Sequence, residues 1–500
     1  MKRRDFIKIS VKGGLLALAS PAVVELFLRD KLTAKELPGV EQAILDEPMT
    51  RVLETALSGG GQYADLYLEE TLRTGISLVD SRIQSVEYGV SRGGGVRVIS
   101  DWKTGYAFCD SWDDKELIGA ARVAARVAEG TGGVVIPPLK SPRVPGVVSY
   151  EIPPDGIPAT RKVEIVSLAD RVARDYDPAV KQVKVNYRDE MKRVVFFSSK
   201  GIHVRQEIPL VWMDINTLAR RGSKRSPGYK RASKKMGFEF VGPSYVGEIA
   251  TEAARQSVDM LDAGEAPSGE TVVVIGSGGG VVFHEAVGHG LEADGIERKT
   301  SFYTGKVGSR VGSKHITLVD DGSVPNLRGS FDFDDEGTLS GRSVLIEDGI
   351  LKGYMYDLWT AWKLGAEPTG NGRRESYMHY PLVRMTNTFI VPGKTAPEEI
   401  IASTPRGIYA RHLGGGEVDT ATGNFTFGVR EAYRIENGRL TSPVRGATLV
   451  GNGPEILKRI DMVGDDLAFW PGTCGKGQWV PVTSGAPTLR ISSITVGGRG

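Results

Sequence analysis

His284-Glu285-Ala286-Val287-Gly288-His289 brings together the residue types of a hydrolytic metal site. Two imidazoles can hold an ion, and a carboxylate can manage a proton. The spacing is unusual, because zinc-protease helices carry their histidines at i and i+4, on one face, with a glutamate beside the first. Here the separation is i, i+5, and at ~100° per residue an ideal helix would set the rings about 140° apart. The pattern therefore predicts a locally distorted helix, of the π type whose i→i+5 hydrogen bond turns the second ring back toward the first. Gly288 and Gly290 supply backbone that tolerates distortion, since glycine has no Cβ to clash. The competing reading is a chance string in an ordinary helix.

A catalytic zinc takes three protein ligands and keeps an open position. From the residues alone the third ligand is Glu292, Asp294, another histidine or a cysteine thiolate. Cys474 stands in FWPGTCGKGQ, residues 469–478, a glycine-rich loop of the kind that exposes functional thiols. The chain has only one other cysteine, Cys109. In an exported protein the pair also predicts a disulfide, which would remove the thiolate. His203 and His315 read as surface or satisfied core residues.

Two rival motifs are weaker. The glycine turn at 276–280 precedes a helix but lacks Gly-Lys-Ser/Thr and the dinucleotide pattern, so it reads as a tight turn. FDFDDEGT, residues 331–338, resembles a calcium loop, yet Ser343 falls where the bidentate glutamate should be. A polar or substrate-facing turn is expected there.

The elements that must position these groups follow from periodicity. Apolar alternation broken by glycines over 63–108 predicts an antiparallel meander, and two further strand runs follow a helix over 157–176. Residues 45–240 read as an N-terminal α/β domain built on an antiparallel sheet. After an amphipathic helix, residues 265–500 read as a C-terminal domain of mostly antiparallel β-sheet that carries the histidine helix, giving an α+β fold. VLIEDGILKGYMYD predicts a hairpin turning at Asp348-Gly349. Residues 220–235 hold eight basic side chains and read as the mobile tip of a hairpin, with an anionic surface patch as the functional alternative.

Five hundred residues with 25% charged and 40% hydrophobic content, and a net charge of +2, describe an ordinary globular chain and disfavour a dedicated nucleic-acid binder. Residues 1–29 combine a basic start, a short apolar run and Ala17-Leu18-Ala19, the pattern of an export signal. Arg3-Arg4 gives it the look of a twin-arginine signal. Export outside the cytoplasm is expected, with membrane contact only through an uncleaved signal; a cytoplasmic location is the alternative.

HEAVGHGLEADGI, DDEGT, NGRRESYMHYPLVRMTNT, LGGGEVDTATGNFTFGV and PGTCGKGQ, in that order and together with DSRIQSVEYGVSRGGGVRV, resemble the TldD/PmbA family of metallopeptidases, in particular its catalytic TldD-type subunit. The resemblance implies one Zn2+ per catalytic chain held by His284, His289 and Cys474, with Glu285 as general base. It implies unfolded or extended peptide substrates and a homodimer or a heterodimer with a PmbA-type subunit. A non-proteolytic peptide-binding subunit of such an assembly is the alternative. His379, Arg373 and Arg374 are candidates for steadying the oxyanion or fixing their loop, and Gly415 for letting a substrate backbone come close.

Overall fold

The computed structural model describes residues 46–132 and 134–498, so the expected export signal over 1–29 lies outside the described residues. No helix among the described residues is long and apolar enough to cross a membrane.

Alternating side chains build six antiparallel strands: β1 (Tyr63–Val79), β2 (Arg82–Ser100), β3 (Lys103–Cys109), β4 (Val180–Ser198), β5 (His203–Arg221) and β6 (Lys224–Lys234). They pair in the order β3-β2-β1-β4-β5-β6. One face carries two apolar clusters, with Ala64, Leu66 and Leu68 of β1 in one and Ile76 and Leu78 in the other; between them lie Glu70 and Thr74, the latter hydrogen-bonded by buried Lys162, which also pairs with Asp189. Helices Asp46–Leu57 and Asp114–Val127 cover one half of this face, and Ala159–Asp175 and Pro243–Asp259 the other. The opposite face carries Tyr67, Val194, Phe196 and Val204, which pack on Phe333 and Tyr377 from the C-terminal half.

Where the C-terminal half covers the second face, polar residues are buried too. Arg97 is 1% exposed and bridges Asp65 at 2.5 Å and Glu336 at 2.6 Å, the latter from the C-terminal half. Such a charge is tolerable in the interior only when its partners are in place.

The basic stretch 220–235 is no mobile tip. Only Gly222 and Ser223 turn: Arg220 and Arg221 end β5, residues 224–234 form β6, in register with β5 from Arg221↔Lys224 to Val211↔Lys234, and Lys235 follows directly. Its charges are engaged locally: Lys224 with Asp262 at 2.6 Å, Arg231 with Asp214 at 2.6 Å.

The C-terminal half is mostly antiparallel β-sheet, and the whole is α+β as expected. Strand Gly269–Ile275 pairs with Arg406–Val418 on one side and Leu489–Gly497 on the other. Thr448–Asn452 and Asn424–Glu436 continue the sheet, and the latter pairs back onto Arg406–Val418, closing a ring of five strands. A second sheet runs Ile350–Leu351, Arg342–Glu347, Leu318–Asp321, Asn387–Ile390, Trp479–Ala486, Ala468–Gly475. The hairpin at Asp348-Gly349 forms as the sequence predicts, both residues having positive φ (47° and 79°), as a type I′ turn requires.

Candidate metal centre

Strand Gly269–Ile275 leaves the ring through the glycine turn. Gly278 has φ +83°, and a Cβ on Gly280 would stand 2.5 Å from the Gly485 backbone, so only glycine lets the chain turn and approach so closely. Helix Val281–Ala286 starts directly after it, which places His284 and Glu285 in its last turn.

The expected π bulge is absent. The α-helix stops at Ala286, Val287 takes φ −125° and ψ −51°, and a 3-10 turn resumes over Gly288–Leu291. A break with a restart, rather than an inserted residue, brings the second ring round. Nor are Gly288 and Gly290 needed for conformation, since neither has positive φ. They are needed for space: a Cβ would meet Met385 Sδ at 2.3 Å at the first and the Tyr303 ring at 2.9 Å at the second.

The rings of His284 and His289 stand 5.8 Å apart at 78°. Cys474 Sγ lies 3.2 Å from His289 Nε2, and one donor atom from each of the three residues falls within 4.8 Å of the others. Cys474 comes from strand Ala468–Gly475, opposite Val480. Fully buried Arg384 fixes this hairpin by donating to Cys474 O at 2.7 Å and Gln478 O at 2.9 Å. Cys109 and Cys474 are both free thiols, so the disulfide expectation is overturned; Cys109 sits on β3 and donates to Ser111 O.

A buried imidazole ordinarily spends both nitrogens on hydrogen bonds. His284 is 2% exposed, yet neither ring nitrogen has a hydrogen-bond partner among the described residues. An orphaned imidazole beside a second imidazole and a thiol is the donor set of a zinc site, and the residues present fit the ion. Burial pushes the Cys474 thiol up, but the two imidazoles outweigh it and bring its pKa to about 5, so the thiolate is available at neutral pH. Burial opposes charge on His284 and His289 too, but Cys474 with Glu285 raises the former and Glu292 with Cys474 the latter.

Glu285 is the open member of the group, its side chain 32% exposed, with Oε2 3.5 Å from His289 Nε2 and Oε1 4.0 Å from His284 Nε2. Burial opposes its charge, but the two imidazoles hold its pKa below the ordinary value.

Glu292 and Asp294, possible third ligands by sequence, stand one layer further out. Glu292 Oε2 faces His289 Nδ1 at 2.8 Å, and Lys476 Nζ contacts Glu292 Oε2 at 3.0 Å, Asp294 Oδ1 at 3.1 Å and Val383 O at 2.7 Å. The Glu292 carboxyl is lowered to about 2: burial opposes this, and Lys476 and His289 prevail. A carboxylate on the far nitrogen fixes the tautomer and orientation of a ligating histidine. Lys476 lies two residues after Cys474 in the sequence, and only the folded hairpin reveals its contact.

Of the other residues singled out by sequence, Arg373 donates to Met385 O at 2.6 Å and Pro481 O at 2.7 Å, gripping the Cys474 hairpin from behind. Arg374 lies in the contact between the two halves, donating to Asp335 O at 2.8 Å with its guanidinium 4.3 Å from the Tyr67 ring. His379 Nδ1 is 3.1 Å from Ser376 Oγ. Gly415 sits in open space on Arg406–Val418, past Ala410, the last residue paired with Gly269–Ile275. Asp334 of the acidic motif accepts from the backbone N–H groups of Glu336, Thr338 and Gly372, a turn-building role. His203 stacks on Phe197 at 4.3 Å, and His315 is exposed.

Comparison with known proteins identifies the family. Models of the PmbA/TldA metallopeptidase match in three parts: domain 1 over residues 64–128, the central domain over 152–261 and the C-terminal domain over 268–498. The six-stranded sheet runs through the first two. A metalloprotease TldD homolog of Haemophilus influenzae is 41% identical, over 87% of this chain and 93% of that protein. A zinc metalloprotease TldD homolog of Saccharolobus solfataricus is 26% identical, over 90% of this chain and 100% of that protein. Among solved structures, TldE from Thermococcus kodakarensis superposes with a TM-score of 0.73 at 21% identity, over 90% of this chain and 100% of that one. A Thermotoga maritima protein described as a modulator of a DNA gyrase gives 0.77 at 21% identity, with the same coverage; these two likenesses show the fold alone. The chain belongs to the TldD/PmbA family of metallopeptidases.

Proposed function

We propose that this metallopeptidase is a zinc enzyme that hydrolyses extended or unfolded peptides, with Glu285 as general base. The observation that carries the reading is a half-exposed carboxylate beside two buried imidazoles and a thiol whose donor atoms converge. A zinc ion held by His284, His289 and Cys474 would polarise the scissile carbonyl and bring the pKa of an attacking water toward ~7. Glu285 takes the water's proton on its carboxylate and delivers it to the departing amine nitrogen. Glu292, held by Lys476, keeps a proton on His289 Nδ1 and so leaves Nε2 free to ligate.

Extended substrates suit the strand Arg406–Val418. Beyond Ala410 its neighbour Gly269–Ile275 turns away into the histidine helix, while residues 413–418 keep one edge on Asn424–Glu436. Among the described residues no strand occupies the other edge, and Gly415, with open space where a Cβ would stand, leaves room for a peptide backbone to add by main-chain hydrogen bonds. The reading extends to a dimer and to export of the folded chain. Partly exposed aromatics support the first, with Trp479 64%, Phe108 48% and Tyr380 45% exposed, and the Arg3-Arg4 segment supports the second. Light scattering and cell fractionation test these.

The deciding experiment compares wild type with Glu285→Gln for zinc content by elemental analysis and for cleavage of an unstructured peptide. One zinc per chain in both, with cleavage lowered about a thousandfold in the variant, is the expected result. Equal cleavage removes Glu285 as base, and a zinc-free, active wild type removes the ion.

A further inference from the structure

The last residue of the basic stretch, Lys235, is 4% exposed and sits in the layer between the two halves. Its ammonium lies 5.2 Å from the Phe331 ring, and the Arg373 guanidinium lies 5.3 Å from the same ring. Arg328, 6% exposed, donates to Ser233 Oγ at 2.7 Å beside the end of β6, and to Gly472 O at 2.8 Å. Three buried cations therefore surround one short region behind the Cys474 hairpin. Their hydrogen bonds go to carbonyls and hydroxyls, and Lys235 Nζ has no acceptor at all among the described residues. The acidic groups whose fields reach them are Asp335 on Lys235, Glu190 and Asp214 on Arg328, and Asp335, Asp320 and the Cys474 thiol on Arg373; none is in contact. Lys192, also close, is already engaged by Glu69 at 3.5 Å and Glu375 O at 3.2 Å.

Burying one cation without a counter-charge is unfavourable, and burying three together is more so. Each feels the strain: burial and the neighbouring positive charges push Lys235 well below its ordinary value and Arg328 to about 10, and burial also takes Arg373 to about 10. We propose that Lys235, Arg328 and Arg373 form an oxyanion-binding site between the halves, built to receive a carboxylate. Arginine forks and a lysine point charge are the groups that recognise carboxylate and phosphate oxygens. Resting on the peptidase reading, the carboxylate assigned is the C-terminal one of a peptide; inorganic phosphate shares its chemistry. Arg373 and Arg328 also hold the strand pair that presents Cys474, so an anion here would brace the metal-bearing hairpin.

The test uses the zinc-loaded full chain, with Glu285→Gln to keep peptides intact, and follows the thermal unfolding midpoint. The probes are inorganic phosphate, an acetylated tripeptide with a free C-terminal carboxylate, and the same tripeptide as its amide. The free acid is expected to raise the midpoint by about 2 °C at saturation, and the amide to leave it unchanged. Lys235→Met abolishes the rise without lowering the ligand-free midpoint, because it removes an unpaired buried cation, and Lys235→Arg retains it. A rise with phosphate but with neither tripeptide keeps the anion site and assigns it to a free oxyanion. No rise with any anion in the Lys235-containing protein, or an equal rise in Lys235→Met, overturns the site. The phosphate measurement needs no cleavage, so it stands or falls apart from Glu285's role.

Discussion

Among the described residues two clusters offer metal-ligand atoms within 4.8 Å of one another: His284, His289 and Cys474, and Glu252, His412 and Glu431. Residue type and distance do not tell them apart. Their remaining contacts do. In the second cluster Arg255 lies between the carboxylates, 2.7 Å from Glu252 and 2.9 Å from Glu431, while Tyr433 donates to Glu431 at 2.8 Å and Arg411 at 3.3 Å. Those oxygen lone pairs are spent on fixed donors. In the first cluster no arginine or lysine among the described residues touches the ligand atoms, and His284 has no hydrogen-bond partner there on either nitrogen. A metal site is thus distinguished by donors left over after the protein has satisfied itself, and the second cluster is an ion-pair joint between helix Pro243–Asp259 and the five-stranded ring.

The contrast can be broken by substitution. Glu285→Gln should lower peptide cleavage about a thousandfold with zinc retained, whereas His412→Ala should leave both cleavage and zinc content at wild-type levels. Cys474→Ala should lose zinc to a mild chelator that leaves the wild type loaded, since two imidazoles alone do not complete the site. Glu431→Gln should destabilise the fold by about 3 kcal/mol in denaturant unfolding, by stripping Arg255 of a buried partner, yet leave zinc in place. Glu292→Gln should weaken zinc binding about 10- to 100-fold in a competition titration, the smallest shift at the metal site. Acid separates the clusters again. On the proposed zinc reading the ion would need the Cys474 thiolate and neutral imidazoles, so falling pH, by putting protons on His284 and His289, whose pKa values are raised, and then on Cys474 at about 5, is expected to release it. Glu252 and Glu431 are held below their ordinary values, so the stability they contribute is present above the ordinary carboxylate pKa and is lost only as pH falls below it.

The helices and the long strands were legible because their periodicity is plain, and the Asp348-Gly349 turn because its residue pair demands positive φ. His284, Glu285 and His289 were legible as a unit, and Cys474 through its motif. The way the histidines meet was not: a helix break and a π bulge both satisfy i, i+5 spacing, and the packing of Met385 and Tyr303 against Gly288 and Gly290 selects the break. Residues 220–235 misled because charge density suggests solvent, while their partners Asp214 and Asp262 lie elsewhere in the chain. Lys476 and Lys235 acquire their surroundings only through long-range contacts, which no local pattern encodes.

Arg97, on β2, holds Asp65 of its own sheet and Glu336 of the other half, with Arg374 reaching back to Asp65 at 3.4 Å. Prising the halves apart would bare the apolar contact of Tyr67, Val194, Phe196 and Val204 with Phe333 and Tyr377 and break the Arg97–Glu336 pair, so neither half is expected to persist folded with that surface bare. The chain should accordingly melt in a single cooperative calorimetric transition. A protease cut between the halves, near residues 262–268, should yield a nicked but associated protein instead of a free catalytic fragment.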